Sequence, residues 1–439
     1  MSLNSEIIAA VDIGTATISA FVGRLNADKK IELIAFSEVP SSGIKRGMIL
    51  NQEEAVKSIR DVMAQAVRGV DVQIHKVFVG MNGQHIHTIS TEGNKQFDEP
   101  RVVTNEDVKE LELQAARVAM RSGECVYRLI PQEFKVDQED EILNPVGISG
   151  RQVSGAYKIL VGSEMYKETL NNCMNRAGWP VHRWFLSSVA TADVTLTADE
   201  KEAGVVLVDM GAGSTSVSVY YEGVLRYESV IPFGGDVVTK DIKQGCSVLQ
   251  RHAEMLKVQC GSALSSEAED DQVVTIPAME GWDSKEISVK MLASIIEARM
   301  EELIDSIAYQ IEKSGYWDRL GAGIVLTGGA AQLKNVLALL KFRTGINARL
   351  GLPRVVIANK NDKKLVVPSN ASGLGILQKG LELADADVEV VKPEKKKKKK
   401  PSDEAEKPDK EGKKKSLWGN MLGNTLFSIF DEDDSEVTK

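Results

Sequence analysis

Two aspartates, Asp12 and Asp209, stand at the ends of short apolar runs that read alike. The first run, Ile7–Ile13, leads into Gly14, Thr15 and Ala16 and then into the β-prone stretch Ile18–Val22. The second, Val205–Met210, leads into Gly211, Ala212, Gly213, Ser214 and Thr215 and then into Ser216–Tyr221. Each reads as a strand, a carboxylate, a tight turn of glycine and small residues, and a return strand. Phosphate binding needs these residue types: glycine lets the backbone come close, successive N–H groups form an anion-binding concavity, and a nearby carboxylate holds the magnesium that travels with a nucleotide. One such turn is ordinary in any protein. Two of them 197 residues apart, with matching flanks, are the spacing of a duplicated α/β domain. Facing each other, they would form jaws around one triphosphate. A third glycine turn, Thr327-Gly328-Gly329-Ala330 after Ile324–Leu326, would let a flat ring lie against the backbone. Neither a GxxxxGK[ST] loop nor a GxGxxG fingerprint occurs, which removes the P-loop and dinucleotide folds.

The elements that must carry these turns alternate as an α/β layer requires. Glu53–Val67 is amphipathic, with Ala55, Val56, Ile59, Val62, Met63, Ala66 and Val67 on one face, and the strand Lys76–Gly80 follows it. From Asn82 to Val161 the texture changes to short alternating strands around a helix begun by Thr104, with Asp107 completing a capping-box pattern; this reads as an inserted α+β subdomain. Alternation resumes at Tyr166. A long helix runs through Val289, Leu292, Ile296, Met300, Leu303, Ile307 and Ile311.

At 439 residues two lobes are the default expectation. The formal net charge of −9 argues against a nucleic-acid partner. Four scattered cysteines offer no CxxC pair and suggest a reducing compartment, and the five histidines have no metal-ligand spacing. No apolar run approaches transmembrane length, so a cytosolic protein, or one meeting a membrane from the cytosolic side, is expected.

With these motifs in place, the chain resembles the actin-like ATPase superfamily, and within it the FtsA family of bacterial cell-division proteins. The resemblance covers nearly all of Ile7–Leu383. It rests on the two phosphate motifs, on an adenosine motif at Leu326–Ala331, and on Ala253-Glu254-Met255-Leu256-Lys257, similar to a family helix whose Glu and Lys contact ribose and base. Ile130–Phe134 and Asn144–Gly150 resemble the FtsA-type insertion, which actin lacks. The expected fold is an actin-like two-lobed duplicated domain of ribonuclease-H-like lobes. The first lobe is expected over 1–81, 163–196 and 366–384, the insertion over 82–162, and the second lobe over 197–365, with its small subdomain at 232–305. A charged disordered linker is expected over 385–415, including Lys395–Lys400, and an amphipathic membrane-targeting helix over 416–431.

The resemblance implies ATP and magnesium as ligands. Asp12 and Asp209 would hold the metal through water; Gly14, Thr15, Ala16, Gly211, Ala212, Gly213, Ser214 and Thr215 would cradle phosphates; Glu254, Lys257, Gly328, Gly329 and Ala330 would take the nucleoside. One departure bears on turnover. Hydrolysing members place a Glu or Gln before the second hairpin to position the attacking water, whereas Phe185–Ala190 here offers none, so hydrolysis is expected to be slow or absent, and no catalytic residue is assigned.

Leu417, Trp418, Met421, Leu422, Leu426, Ile429 and Phe430 share one broad arc of a helical wheel, opposite Asn420, Gly423 and Asn424; Phe427 falls on the wrong side. An apolar helix on a charged tether needs a membrane or a partner groove. Lys413–Lys415 would add on the order of 1 kcal/mol each at an anionic surface. The resemblance further implies self-association into filaments, FtsZ as partner through its C-terminal tail, other division proteins as later partners, and the cytoplasmic face of the membrane at the division septum as location. The rivals are a pilus-assembly relative, which would not need the terminal helix, a heat-shock-type chaperone, which would need a β-rich substrate domain, and a sugar or acetate kinase, which would need a catalytic Asp and substrate pocket.

Overall fold

The computed structural model describes residues 6–68, 73–117, 120–277, 284–358 and 364–391, with side chains to Asp385. The linker from residue 392 onward and the expected terminal helix, with its apolar arc from Leu417 to Phe430, lie outside the described residues.

The chain begins with β1 (Ile8–Ile13), β2 (Thr17–Leu25) and β3 (Ile31–Pro40), runs of β-branched and apolar residues that pair antiparallel in sequence order. A small ribbon of β4 (Ile44–Lys45) and β5 (Met48–Ile49) precedes α1 (Gln52–Ala66), whose N-terminal amides are capped by the Asn51 side chain. Next, β6 (Lys76–Met81) pairs parallel to β1, the crossover that α1 makes possible.

The insertion follows as β7 (His87–Val102), α2 (Asn105–Ala116), β8 (Glu124–Val136), β9 (Glu139–Ile142) and β10 (Ser149–Ser163). The capping box at α2 is present, with Thr104 and Asp107 exchanging backbone and side-chain bonds. Then come α3 (Glu164–Arg176), β11 (Arg183–Leu186) and α4 (Ser187–Thr195), which starts without a turn where β11 ends.

After α5 (Ala198–Ala203) the opening pattern repeats: β12 (Val205–Met210), β13 (Thr215–Tyr221) and β14 (Val224–Ile231) form an antiparallel meander. The remaining elements are α6 (Gly235–Gly245), α7 (Gln250–Cys260), a ribbon of β15 (Val273–Ile276) and β16 (Lys285–Ser288), α8 (Val289–Ser314), β17 (Gly323–Thr327), α9 (Val336–Thr344), β18 (Ala348–Leu350) and α10 (Ala371–Val391). That last helix continues beyond residue 385, where the tether was expected to start, because no breaker precedes Pro393.

The strand order is β11-β6-β1-β2-β3 in one sheet and β18-β17-β12-β13-β14 in the other, the latter extended by β7-β10-β8-β9 of the insertion. Both five-strand units have the same connectivity and the same parallel and antiparallel pairs. The duplication extends to single residues. Asp12 pairs with Ser19 and Asp209 with Ser216; the bulge in the third strand falls at Val22/Gly23 in one unit and Val219/Tyr220 in the other. One offset relates every member of these pairs.

Each unit receives a helix from the other half of the chain. α4 packs on β12 and β13. From α10, Leu374, Ile376 and Leu377 enter a core with Ile8, Ala10, Phe21 and Phe78. The two crossing helices meet at Gly375 and Ala190, where the absence of a side chain on Gly375 lets the backbones close up. Their first turns therefore lie at the junction of the two sheets, where β1 and β12 end.

Candidate functional site

Asp12 and Asp209 occupy that junction. Ser372, at the start of α10, donates to Asp12 Oδ1 at 3.0 Å, and Thr191 of α4 donates to Asp209 Oδ2 at 3.4 Å. Burial pushes the Asp12 carboxyl up to about 6 against the opposing effect of Ser372. Burial, and then the charge of Asp12, push Asp209 up to about 7. The two carboxylates thus feel each other's charge at the junction, and among the described residues no ion pair reaches either of them.

The turns beyond them are built alike. Gly14 N–H donates to Thr17 O and Gly211 N–H to Ser214 O, each at 3.0 Å, so both turns close with the same bond at the same offset. They touch: a Cβ placed on Gly213 would stand 2.5 Å from Thr15 Oγ1. Thr15 Oγ1 is further held by the Gly47 N–H at 3.0 Å. Ala16 is exposed and accepts the Ser41 N–H through its carbonyl. Ser214 is buried with its hydroxyl toward Gly47. Thr215 turns away from the crevice and donates to Phe233 O at 2.8 Å, tying β13 to the approach of α6.

The residues expected to take the nucleoside converge on a pair that the sequence analysis did not single out, Gly234-Gly235. Gly235 N–H donates to Gly211 O at 2.9 Å and Asp236 N–H to Ala212 O at 2.8 Å, which seats α6 against the second turn. Lys257 Nζ donates to Gly235 O at 3.2 Å and Thr239 Oγ1 at 2.8 Å, and pairs with Glu254 at 2.8 Å. Ala330 Cβ and Lys257 Nζ both lie 3.4 Å from where a Gly235 Cβ would be. Gly329 is exposed beside them. Gly328 has φ +92°, and a Cβ there would lie 2.5 Å from Asp209 Oδ1 and from Met210 O, so this turn tolerates no side chain. The signal for Gly234-Gly235 was in the chain, a glycine pair opening a helix, but a β-strand exit gives the same pattern.

The segment before the second hairpin spans two elements: Phe185 and Leu186 end β11, and Ser187–Ala190 open α4. Asp193, farther along α4, pairs with Lys201 at 2.7 Å and with Lys379 of α10, and Arg349 donates to Glu200 and to Thr195 O, so the helix is pinned at its far end. Its first turn is polar and aimed at the junction. A Cβ on Gly80 would meet Ser187 Oγ at 2.7 Å and Asp12 Oδ1 at 3.2 Å, which brings that hydroxyl beside that carboxylate.

These residues fit a nucleotide–magnesium pair. Two half-buried carboxylates answered only by hydroxyls are under-compensated, and a divalent cation would supply the missing charge. Among the described residues no group of three or more His, Cys, Asp or Glu surrounds a common metal position. Two carboxylates with retained water and phosphate oxygens are what magnesium accepts.

The sequence profile "Cell division protein FtsA" matches residues 206–375, and "SHS2 domain inserted in FTSA" matches residues 83–161. The Cell division protein FtsA of Pseudomonas aeruginosa is 31% identical over 379 residues, covering 86% of this chain and 90% of that protein. That of Bacillus subtilis is 32% identical over 376 residues, covering 85% and 83%. Among solved structures, a chain of the PilM-PilN type IV pilus biogenesis complex superposes with TM-score 0.60 at 15% identity, covering 85% of this chain and 98% of that one. MreB5 of Spiroplasma citri bound to AMPPNP superposes with TM-score 0.52 at 13% identity, covering 88% and 98%. The structural likenesses carry the actin-like fold, the sequence relatives carry more, and together with the inserted subdomain they place this chain in the FtsA family of actin-like cell division proteins.

Proposed function

We propose that this protein binds magnesium–ATP between its two lobes, polymerises on the cytoplasmic membrane through those lobes and a terminal apolar helix, and tethers the FtsZ ring there, recruiting later division proteins. The observation that supports the nucleotide part is the meeting of the two turns: Asp12 and Asp209 close enough for their charges to interact, with Thr15 of one turn against Gly213 of the other. When bound, the nucleotide supplies a polyanion and a cation that bridge the lobes. The chain's own part is to hold the turns open to phosphate, to present Lys257 and Glu254 near Gly235, and to hold magnesium by Asp12 and Asp209 through water. Membrane attachment is supported by the apolar arc Leu417–Phe430 at the end of a charged tether. Among the described residues no helix is long and apolar enough to cross a membrane.

Two experiments test the two halves. Asp209→Ala abolishes retention of ATP through gel filtration; retention at the wild-type level overturns the second jaw. Sedimentation with vesicles containing anionic lipid compares the full chain with one ending at Lys415. Loss of pelleting on truncation supports the anchor, and unchanged pelleting refutes it.

A further inference from the structure

Among the described residues, Glu228 is a buried titratable group near the junction that the nucleotide reading leaves unused. It lies on β14 with 1% of its surface exposed, and both carboxylate oxygens lack a hydrogen-bond partner. Burying a carboxyl without a partner costs several kcal/mol in principle, so such a group calls for a reason. Its neighbours supply one. Glu228 pairs across the sheet with Ser218, on the face that carries Asp209, and the hydroxyls of Ser218 and of Ser188 in the first turn of α4 approach its carboxylate without reaching hydrogen-bond geometry. The charge of Asp209 also acts on it.

The duplication provides an internal control. The offset that takes Asp12 to Asp209 takes Phe21 to Ser218. In the first sheet Phe21 pairs with Phe36, the rings 4.8 Å apart beneath α10; in the second sheet the corresponding pair is Ser218 with Glu228, beneath α4. The space under a crossing helix is therefore filled with rings in one lobe, while the other holds a carboxylate and hydroxyls. Packing alone does not require the change, because the first lobe shows the apolar solution.

The segment that lacks a Glu or Gln, Phe185–Ala190, is the segment whose Ser188 approaches Glu228. We infer that Glu228, acting through Ser188, is the positioning residue for hydrolysis of a nucleoside triphosphate, replacing the carboxylate or carboxamide absent from the start of α4. In that step a water oxygen bonds to the γ-phosphorus, and the bond from phosphorus to the β,γ-bridging oxygen breaks with its electron pair going to the nucleoside diphosphate. The water proton passes to Ser188 Oγ as the Ser188 hydroxyl proton passes to Glu228. Burial pushes the Glu228 carboxyl up to about 8, so once ionised it has the basicity to take a proton.

This inference rests on the proposed nucleotide cleft, and the experiment separates the two. Full-length wild type, Glu228→Gln and Ser188→Ala are compared for phosphate release under saturating magnesium–ATP, for KM, for affinity toward a fluorescent ATP analogue, and for melting temperature. The expected result is kcat lowered by about 100-fold or more in each variant, with KM and analogue affinity within about two-fold of wild type. The double variant is expected to fall no further than either single one, because the two side chains act as a unit. Wild-type kcat in a folded Glu228→Gln variant overturns the inference, as do additive losses. Absence of phosphate release from wild-type protein that binds the analogue also overturns it and leaves the cleft standing. Failure of wild type to bind the analogue refutes the cleft itself.

Discussion

Replacing Glu228 by Gln should change how stability depends on pH, by an amount the structure sets. A glutamate in the unfolded chain ionises near 4.5, whereas burial holds Glu228 protonated in the folded chain up to about 8. Between those values the folded state keeps a proton that the unfolded state has released, so stability falls as pH rises. The loss begins above 4.5 and levels off past 8; at 1.36 kcal/mol per unit it grows by about 3 kcal/mol between pH 5.5 and pH 8. Gln cannot ionise, so the variant loses this slope. Asp12 and Asp209 titrate in both proteins and drop out of the difference, apart from the smaller coupling between Asp209 and Glu228. The assay is urea unfolding of nucleotide-free, metal-free protein at the two pH values, read by linear extrapolation. The stability of Glu228→Gln relative to wild type should rise by about 3 kcal/mol from the lower pH to the higher. Parallel pH profiles would show that Glu228 is not a buried, uncompensated acid and would refute the reasoning.

Gly328→Ala forces a side chain onto a φ of +92° and against Asp209 Oδ1 and Met210 O, so it should cost about 1–3 kcal/mol in melting experiments and weaken retention of magnesium–ATP. Thr104→Ala removes a capping box and should destabilise by about 1 kcal/mol, with faster amide exchange confined to α2 and the strands it covers. Burial alone would raise the Asp107 carboxyl beside that cap, yet Arg101 and Lys95 outweigh it and hold it well below the usual carboxylate range. Its contribution is present above the ordinary carboxylate pKa and should disappear as pH falls, so exchange in α2 should accelerate in acid more in wild type than in Asp107→Asn.

The fold was legible in the chain because its two halves repeat. The strand–Asp–turn–strand runs at Asp12 and Asp209 announced both hairpins, and β1, β2, β12 and β13 lie where those runs stand. Short-range chemistry was readable for the same reason: Thr104 with Asp107, and the apolar stripe of α8, depend on residues three or four apart. What was not legible depends on contacts between distant segments. Ser372 reaches Asp12 across 360 positions, and Gly235 reaches Gly211 only once α6 has docked. Thr215 looked like a phosphate ligand by its place in the turn, but alternation along β13 points it at Phe233 O. Spacing predicts which residues share a turn; it does not predict which side of a strand exit faces the crevice.

Glu228 shows the same limit from the other side and explains why the repeat is informative beyond topology. Read alone, Leu225-Arg226-Tyr227-Glu228-Ser229 is an alternating strand whose charged residues would be assigned to solvent. The registers of the two sheets instead align Glu228 with Phe36, a partly buried position packed against the core beneath α10, so its place on the helix-covered face follows from the duplication once the pairing is known. Two lobes descended from one pattern can be compared position by position, and any site where one keeps an apolar pair and the other buries a charge marks a departure that stability does not favour. By that criterion the second sheet, with Asp209 and Glu228 and the hydroxyls of Ser218 and of Ser188 and Thr191 on the helix packed against it, holds the more acidic half of the junction. A cation drawn to the junction should therefore depend more steeply on Asp209 than on Asp12. Asparagine substitution at each, read by magnesium-dependent protection against heat in the presence of ATP, should show the larger loss at Asp209; equal losses would mean the added acidity of the second lobe does not reach the metal.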